Sequence, residues 1–325
     1  MKTQNIVLCF SLILLVMLVS SCVQSNESLA TPSPAISTLP AISVTPALSF
    51  TPLPTVSYTP IPTPAMIATL SIEDARVELL KMLADNGDCQ LPCLWGIIPG
   101  KSSFQEAQAI LAPLSGLSDS VYLNPPGPGS LSPRYTEGDL EIYTRIGFLT
   151  NPDNGITNRV GFIAEAHRPI KDGGYENVFD SKFFGDKVSA YILPRVLSEQ
   201  GIPSSVMIAT AGGPLTRGGT GGFAILLLYP DQGILINYTT QMYLIGNKVR
   251  GCPVNAHVEM ELYPIGSSDS FFEMLRQTNW AVKFNYYKPL EEVTSLSIEE
   301  FYQTFRESTD KCIETPTNLW ATPEP

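Results

Sequence analysis

The chain has 325 residues, 44% of them apolar, and carries 31 Asp and Glu against 20 Lys and Arg, a formal charge of −11. That balance, with a pI near 4.7, excludes a nucleic-acid binder, whose target demands basic patches. It equally disfavours a protein that lies flat on anionic lipid, while the length admits a sizeable core.

The first element is an export signal. Lys2 supplies a positive start, and Ile6 to Val19 form an apolar run shorter than the roughly 20 residues that span a bilayer. Val19-Ser20-Ser21-Cys22 closes the run. This ending resembles the lipobox of bacterial lipoproteins: a branched apolar residue, two small ones and cysteine. The resemblance implies that residues 1–21 are removed, that Cys22 is diacylated on sulfur (palmitate among the chains) and that its new amino group is acylated. An ordinary signal peptide or an uncleaved anchor is the alternative. Two or three acyl chains, at about 0.8 kcal/mol per buried methylene, make a stable membrane anchor.

Residues 22–66 change character. Thr-Pro units recur at Thr31, Thr45, Thr51, Thr59 and Thr63, and Glu27 is the only charge. Proline lacks the N–H that helices and sheets use, so this segment is expected to be a disordered, extended tether near polyproline II. Its threonines suit O-glycosylation, and a ligand for a proline-recognition domain is the rival reading.

Residues 67–315 read as a globular α+β domain, followed by a tail, 316–325. Ser71 caps a helix whose Ile72, Ala75, Leu79, Leu80 and Leu83 share a face, with Gly87 ending it. Cys89 to Gly100 follow, a hinge dense in proline, glycine and cysteine, with Trp95, Ile97 and Ile98 expected in the core. The box Ser103-x-x-Glu106 opens a second helix over Phe104, Ala107, Leu111 and Leu114, closed by Gly116. Strands are predicted at Leu140–Leu149, Val160–Ala164, Phe223–Tyr229 and Gly233–Thr239, the last two joined by the turn Tyr229 to Gly233. Val258, Met260 and Leu262 alternate with Glu259 and Glu261, as Trp280, Val282, Phe284 and Tyr286 do with their neighbours. Ser270-x-x-Glu273 and Ser297-x-x-Glu300 open two further helices.

An internal repeat runs at an offset of 85: Gly100, Gly116, Ser120 and Val121 recur as Gly185, Gly201, Ser205 and Val206. Each copy leads into strands, so repeated helix-plus-antiparallel-sheet units are expected over 100–165 and 185–240. Glycine, helix, glycine, then antiparallel strands resembles the small outer-membrane assembly lipoproteins of the SmpA/OmlA type and the tandem-repeat β-lactamase inhibitor proteins. The likeness is carried by residues 100–121 and 185–206, with Ser118 in the first copy where Pro203 stands in the second. The hinge Cys-x-Leu-Pro-Cys-x-Trp-Gly-Ile-x-Pro-Gly is similar to one in bacterial lipoproteins.

Four cysteines remain in the exported region: Cys89, Cys93, Cys252 and Cys312. An even count outside the cytoplasm reads as disulfides, with three connectivities open. Cys89 can reach Cys93 across Leu91-Pro92, which leaves Cys252 for Cys312. A redox pair would more typically be Cys-x-x-Cys opening a helix. Zinc would want more Cys or His than His167 and His257 supply, so neither metal nor cofactor is expected. Gly96 to Ser102 is one residue short of a phosphate-binding loop, and no strand precedes it. The glycine-rich run Gly212–Gly222 leads into a strand. It reads as a mobile hairpin loop or as a contact loop, with Arg217, Thr216 and Thr220 as candidate ligand contacts.

The catalytic inventory is thin. No Gly-x-Ser-x-Gly or His-Glu-x-x-His occurs. Glu299 and Glu300 sit at a helix start, and His257 shares a strand face with Glu259 and Glu261, which reads as a solvated polar face. A pair of carboxylates from distant segments would suit a glycosidase. The expectation is a lipid-anchored, extracytoplasmic envelope protein that binds a protein, peptide or glycan without catalysis. An extracytoplasmic hydrolase is the alternative.

Overall fold

Ser71 accepts a hydrogen bond from the Asp74 backbone N–H at 3.2 Å, and this cap opens helix α1, Ile72–Asp85. The computed structural model describes residues 69–123, 128–171, 173–211, 222–266, 286–307 and 310–320. All of them fall in one compact unit, Thr63–Pro325. Helix α1 ends one residue earlier than its glycine suggests: Asn86 takes the left-handed conformation, φ 59°, and its N–H returns to the Met82 carbonyl. Ala75, Leu79, Met82 and Leu83 are its buried stripe.

Helix α2, Phe104–Leu111, starts with the full capping box of Ser103 and Glu106. It does not run on to Gly116; after Leu111 the chain tightens into a 3-10 turn, Ala112–Leu117, with Pro113 in its first turn. Helix α3, Lys182–Lys187, and helix α4, Leu193–Gln200, come in the middle of the chain, Pro194 opening α4 where its missing N–H costs nothing. Helix α5 is Leu290–Val293, and helix α6, Ile298–Phe305, carries a second complete box, Ser297 with Glu300.

Twelve strands accompany them: β1 Ser118–Leu123, β2 Gly129–Glu137, β3 Leu140–Thr150, β4 Thr157–Pro169, β5 Tyr175–Asn177, β6 Ser205–Ala211, β7 Gly222–Tyr229, β8 Ile234–Ile245, β9 Lys248–Gly251, β10 His257–Leu262, β11 Lys288–Pro289 and β12 Ile313–Pro316. They form an antiparallel sheet in the order β1-β2-β3-β4-β10-β8-β7-β6-β11, with β5 added to β4, and β9 joining β8 to β12. The fold is therefore α+β, helices with a large antiparallel sheet. The β7–β8 hairpin turns through Pro230–Gln232 at Gly233, whose φ of +69° is left-handed. A side chain there would also collide with the Tyr263 carbonyl, so only glycine serves.

Period-two alternation gives the sheet two faces. One carries Ile142, Ile146, Phe148, Val160, Phe162, Val258 and Met260. These join Leu79, Leu83, Phe104, Leu197, Phe301 and Phe305 of the helices in one large core. The other face divides. Along β6, β7 and β8 it is a second, smaller core of Leu226, Leu228, Leu235 and Tyr263, flanked by Met207 and Tyr287. Along β1 to β4 and β10 it carries polar side chains, among them Arg134, Tyr143, Arg145, Arg159, Glu259 and Glu261.

Packing continues past the sequence-derived boundary at 315. Trp320 is buried, and its indole N–H donates to Thr315 Oγ1 at 2.8 Å. The disulfides join Cys89 to Cys93 and Cys252 to Cys312. The predicted helix at Ser270–Glu273 and the alternating segment from Trp280 as far as residue 285 lie outside the described residues.

Candidate functional site

This polar part of the face holds a groove of about 440 Å³. Its floor follows from strand register. Tyr122 pairs with Ser130, Ser130 with Gly147, Gly147 with Gly161 and Gly161 with Glu261, so these residues stand side by side across five neighbouring strands. The two glycines place no side chain in the middle of that row, and both are half-buried.

The walls are the next residues on the same face. On one side Arg145 pairs with Ile163 and Ile163 with Glu259. On the other Leu149 pairs with Arg159. Two positions along a strand is roughly 7 Å, so the two walls stand roughly 13–14 Å apart at the backbone.

The charges are unequal in their surroundings. Arg159 Nε lies 3.0 Å from Glu261 Oε2, an ion pair with both side chains largely buried. Arg145 is exposed. Among the described residues it is the one arginine without an acidic partner; the other seven each have one.

Beside the groove, sharing Ile163 and Glu259 with it, lies a smaller cavity of about 270 Å³ lined also by Glu165 and His257. His167 Nε2 is 3.1 Å from Glu165 Oε2, and that hydrogen bond holds the Glu165 carboxyl below its ordinary range. The polar strand face predicted to be solvated at His257 is not: the residue is 5% exposed. The reason is cover from outside its strand. Phe179 stacks on the imidazole at 4.7 Å, and the Ala166 N–H donates to Nε2 at 3.1 Å. Burial pushes its pKa down to about 4, so the ring is neutral at pH 7.

Further along the face the charged and aromatic groups pair with one another. Arg134 reaches Asp119 at 2.8 Å and Glu141 at 2.7 Å, and His167 stacks on Tyr143 at 5.7 Å. Among the described residues no three His, Cys, Asp or Glu side chains gather to hold a metal ion, and no helix is long and apolar enough to cross a membrane.

The sequence-derived candidates fall elsewhere. Cys22, Thr216, Arg217 and Thr220 lie outside the described residues. The hinge residues Trp95 and Ile97 are buried in the main core. Glu300 is taken up by its cap and Glu299 by Gln303. Sequence reasoning found Glu259 and Glu261 but missed Arg145, Gly147, Arg159 and Gly161. The available signal was a glycine inside each of two strongly alternating strands, where it weakens the strand unless something approaches closely.

No family model, no curated protein and no solved structure matches this chain.

Proposed function

We propose that the protein is a lipid-anchored envelope module that binds a protein, peptide or glycan in the groove of its polar sheet face. In this reading Cys22 holds the chain to the membrane and residues 23–66 let the domain reach outward. The observation that carries the proposal is the groove itself: a floor without side chains at Gly147 and Gly161 between walls bearing Arg145 on one side and the Arg159–Glu261 pair on the other.

Binding is favoured over hydrolysis by the state of the carboxylates. A two-carboxylate glycosidase needs one acid kept protonated to serve the leaving group. Glu165 is held below its ordinary range by the hydrogen bond from His167, the opposite of that need.

The two halves of the sheet support a duplicated origin. Strands β1-β2-β3-β4 and β6-β7-β8-β10 meet at the β4–β10 pair with mirrored order, and each set follows two helices. Superposing 100–165 on 185–240 checks this, and a rotation far from 180° would remove it.

The function is tested with the full-length, detergent-solubilised chain on native envelope fractions, alongside Arg145→Glu and Gly147→Val variants. The expected result is a ligand retained by the unaltered chain and lost by both variants. Retention by both, or turnover of oligosaccharide substrates by the purified chain, would refute it.

A further inference from the structure

The chain holds two Asn–Gly pairs, Asn86–Gly87 and Asn154–Gly155. Asparagine before glycine is the pairing most prone to cyclise, because no side chain hinders the glycine nitrogen as it attacks the asparagine amide. At position 86 the fold cannot avoid that pairing. Asn86 ends α1 in the left-handed conformation, φ 59°, which asparagine tolerates better than most residues with a side chain. Gly87 follows at φ +66°, and a Cβ there would press on the Trp95 backbone at 3.3 Å.

The same structure immobilises the amide. Asn86 is buried, and its Nδ2 donates to the carbonyls of Cys89 at 2.7 Å and Cys93 at 2.8 Å. Its Oδ1 accepts the Trp95 backbone N–H at 3.3 Å and lies 2.9 Å from the Tyr191 hydroxyl. The Gly87 N–H, whose nitrogen would be the nucleophile, donates to Asp85 Oδ1 at 2.8 Å. Cyclisation requires the amide to leave these partners and turn toward Gly87, so it proceeds only from an opened hinge.

The two acceptors show what keeps the hinge shut. Cys89 and Cys93 are bonded to each other, and their disulfide fixes both carbonyls within reach of Nδ2. Both cysteines are half-buried while Asn86 is buried, so a reductant meets the disulfide before water meets the amide. Reduction returns conformational freedom to the loop that carries both acceptors.

We propose that Asn86 is a modification site gated by the Cys89–Cys93 disulfide. A dithiol reduces the disulfide to two thiols and is itself oxidised to a disulfide. In the opened hinge the Gly87 nitrogen bonds to Asn86 Cγ and gives up its proton, the Cγ–Nδ2 bond breaks, and ammonia leaves. Water then opens the succinimide to aspartate or isoaspartate. Either product carries a carboxylate in place of the amide and cannot donate to the Cys89 and Cys93 carbonyls. The reduction is reversible; the cyclisation is not.

The test incubates the full-length protein in detergent at mildly alkaline pH, with and without dithiothreitol. Peptide mass mapping follows amide-to-acid conversion at both Asn–Gly pairs. Asn154, exposed in the turn before β4, is the internal standard for opening elsewhere. Without reductant, conversion at Asn86 is expected to be at least tenfold slower than in urea. Dithiothreitol should raise it at least tenfold relative to Asn154, and an isoaspartyl methyltransferase should then label the peptide holding residue 86. The Cys89→Ala/Cys93→Ala variant should convert at Asn86 with no reductant, while oxidised Cys252→Ala/Cys312→Ala should not. Conversion at Asn86 that ignores dithiothreitol overturns the proposal, because it denies the gate. Conversion that rises only in step with Asn154 also overturns it, because the whole fold has then opened. A rise confined to Asn86 in oxidised Cys252→Ala/Cys312→Ala would place the gate at the other disulfide and overturn it too. Should either variant fail to fold, the ratio of Asn86 to Asn154 in the unaltered chain decides.

Discussion

The indole N–H of Trp95 donates to the Tyr191 hydroxyl at 2.8 Å, joining two residues 96 apart in sequence and both buried in the main core. Tyr191 lies 2.9 Å from Asn86 Oδ1, and Asn86 Nδ2 donates to the carbonyls of Cys89 and Cys93 at 2.7 and 2.8 Å. The cysteine hinge is thus held to the entrance of α4 by a satisfied buried polar network. Such networks are stabilising when complete and costly when one member is lost.

Removing the ring should therefore be expensive. Trp95→Ala is expected to cost about 3–5 kcal/mol, and Tyr191→Phe, which leaves the buried indole N–H without its acceptor, about 1–3 kcal/mol. Urea unfolding of both variants checks this. Any ligand taken by the groove should be held as before by the folded protein, because Trp95 packs on the helix side of the sheet; a stable Trp95→Ala protein that had lost its ligand would reverse the assignment.

The disulfides should differ in their contributions. On the chain-entropy account, the loop closed by Cys252 and Cys312, 60 residues apart, contributes about 4 kcal/mol, and the small Cys89–Cys93 loop about 2 kcal/mol. The double variant Cys252→Ala/Cys312→Ala should melt well below Cys89→Ala/Cys93→Ala. Peptide mapping without reductant should recover those two pairings, and free thiols on the native protein would contradict them.

Acid should weaken the fold in two stages. His257, buried and lowered to about 4 from 6.5, refuses a proton that the unfolded chain accepts. The unfolded state then binds more protons between pH 6.5 and 4, so stability is full above that window and falls as pH drops through it. The loss is on the order of 3 kcal/mol. Glu165, lowered from 4.5 by its hydrogen bond from His167, adds a further loss as pH falls through its depressed folded value. Urea midpoints measured from pH 7.5 to 3.5 should show both stages, with the upper one missing in His257→Gln. An upper stage that survives in that variant would place its origin elsewhere.

Anchoring is tested at the N-terminus. With Cys22→Ala, labelled palmitate should no longer be incorporated, and the precursor should stay unprocessed or yield an unlipidated form. Persistent labelling would move the lipid to another residue.

Much of the fold was legible in the residues, and for a local reason. The caps at Ser71, Ser103 and Ser297, the turn at Gly233, the alternation in β3, β4 and β10 and the continuous apolar runs of β7 and β8 each depend on groups within a few positions of one another, so spacing alone determines them. The class, α+β with an antiparallel sheet, follows from their sum. The cysteine pairing was narrowed by proximity of Cys89 to Cys93 but decided by β9 and β12, whose pairing brings Gly251 against Ile313. What the sequence could not contain was which face of the sheet the helices would take. The burial of His257 depends on Phe179, 78 positions earlier, and the row Tyr122, Ser130, Gly147, Gly161, Glu261 draws one residue from each of five strands. Only strand order and register bring those side chains together. A groove made across strands is therefore a property of the sheet, while the helix caps belong to the chain.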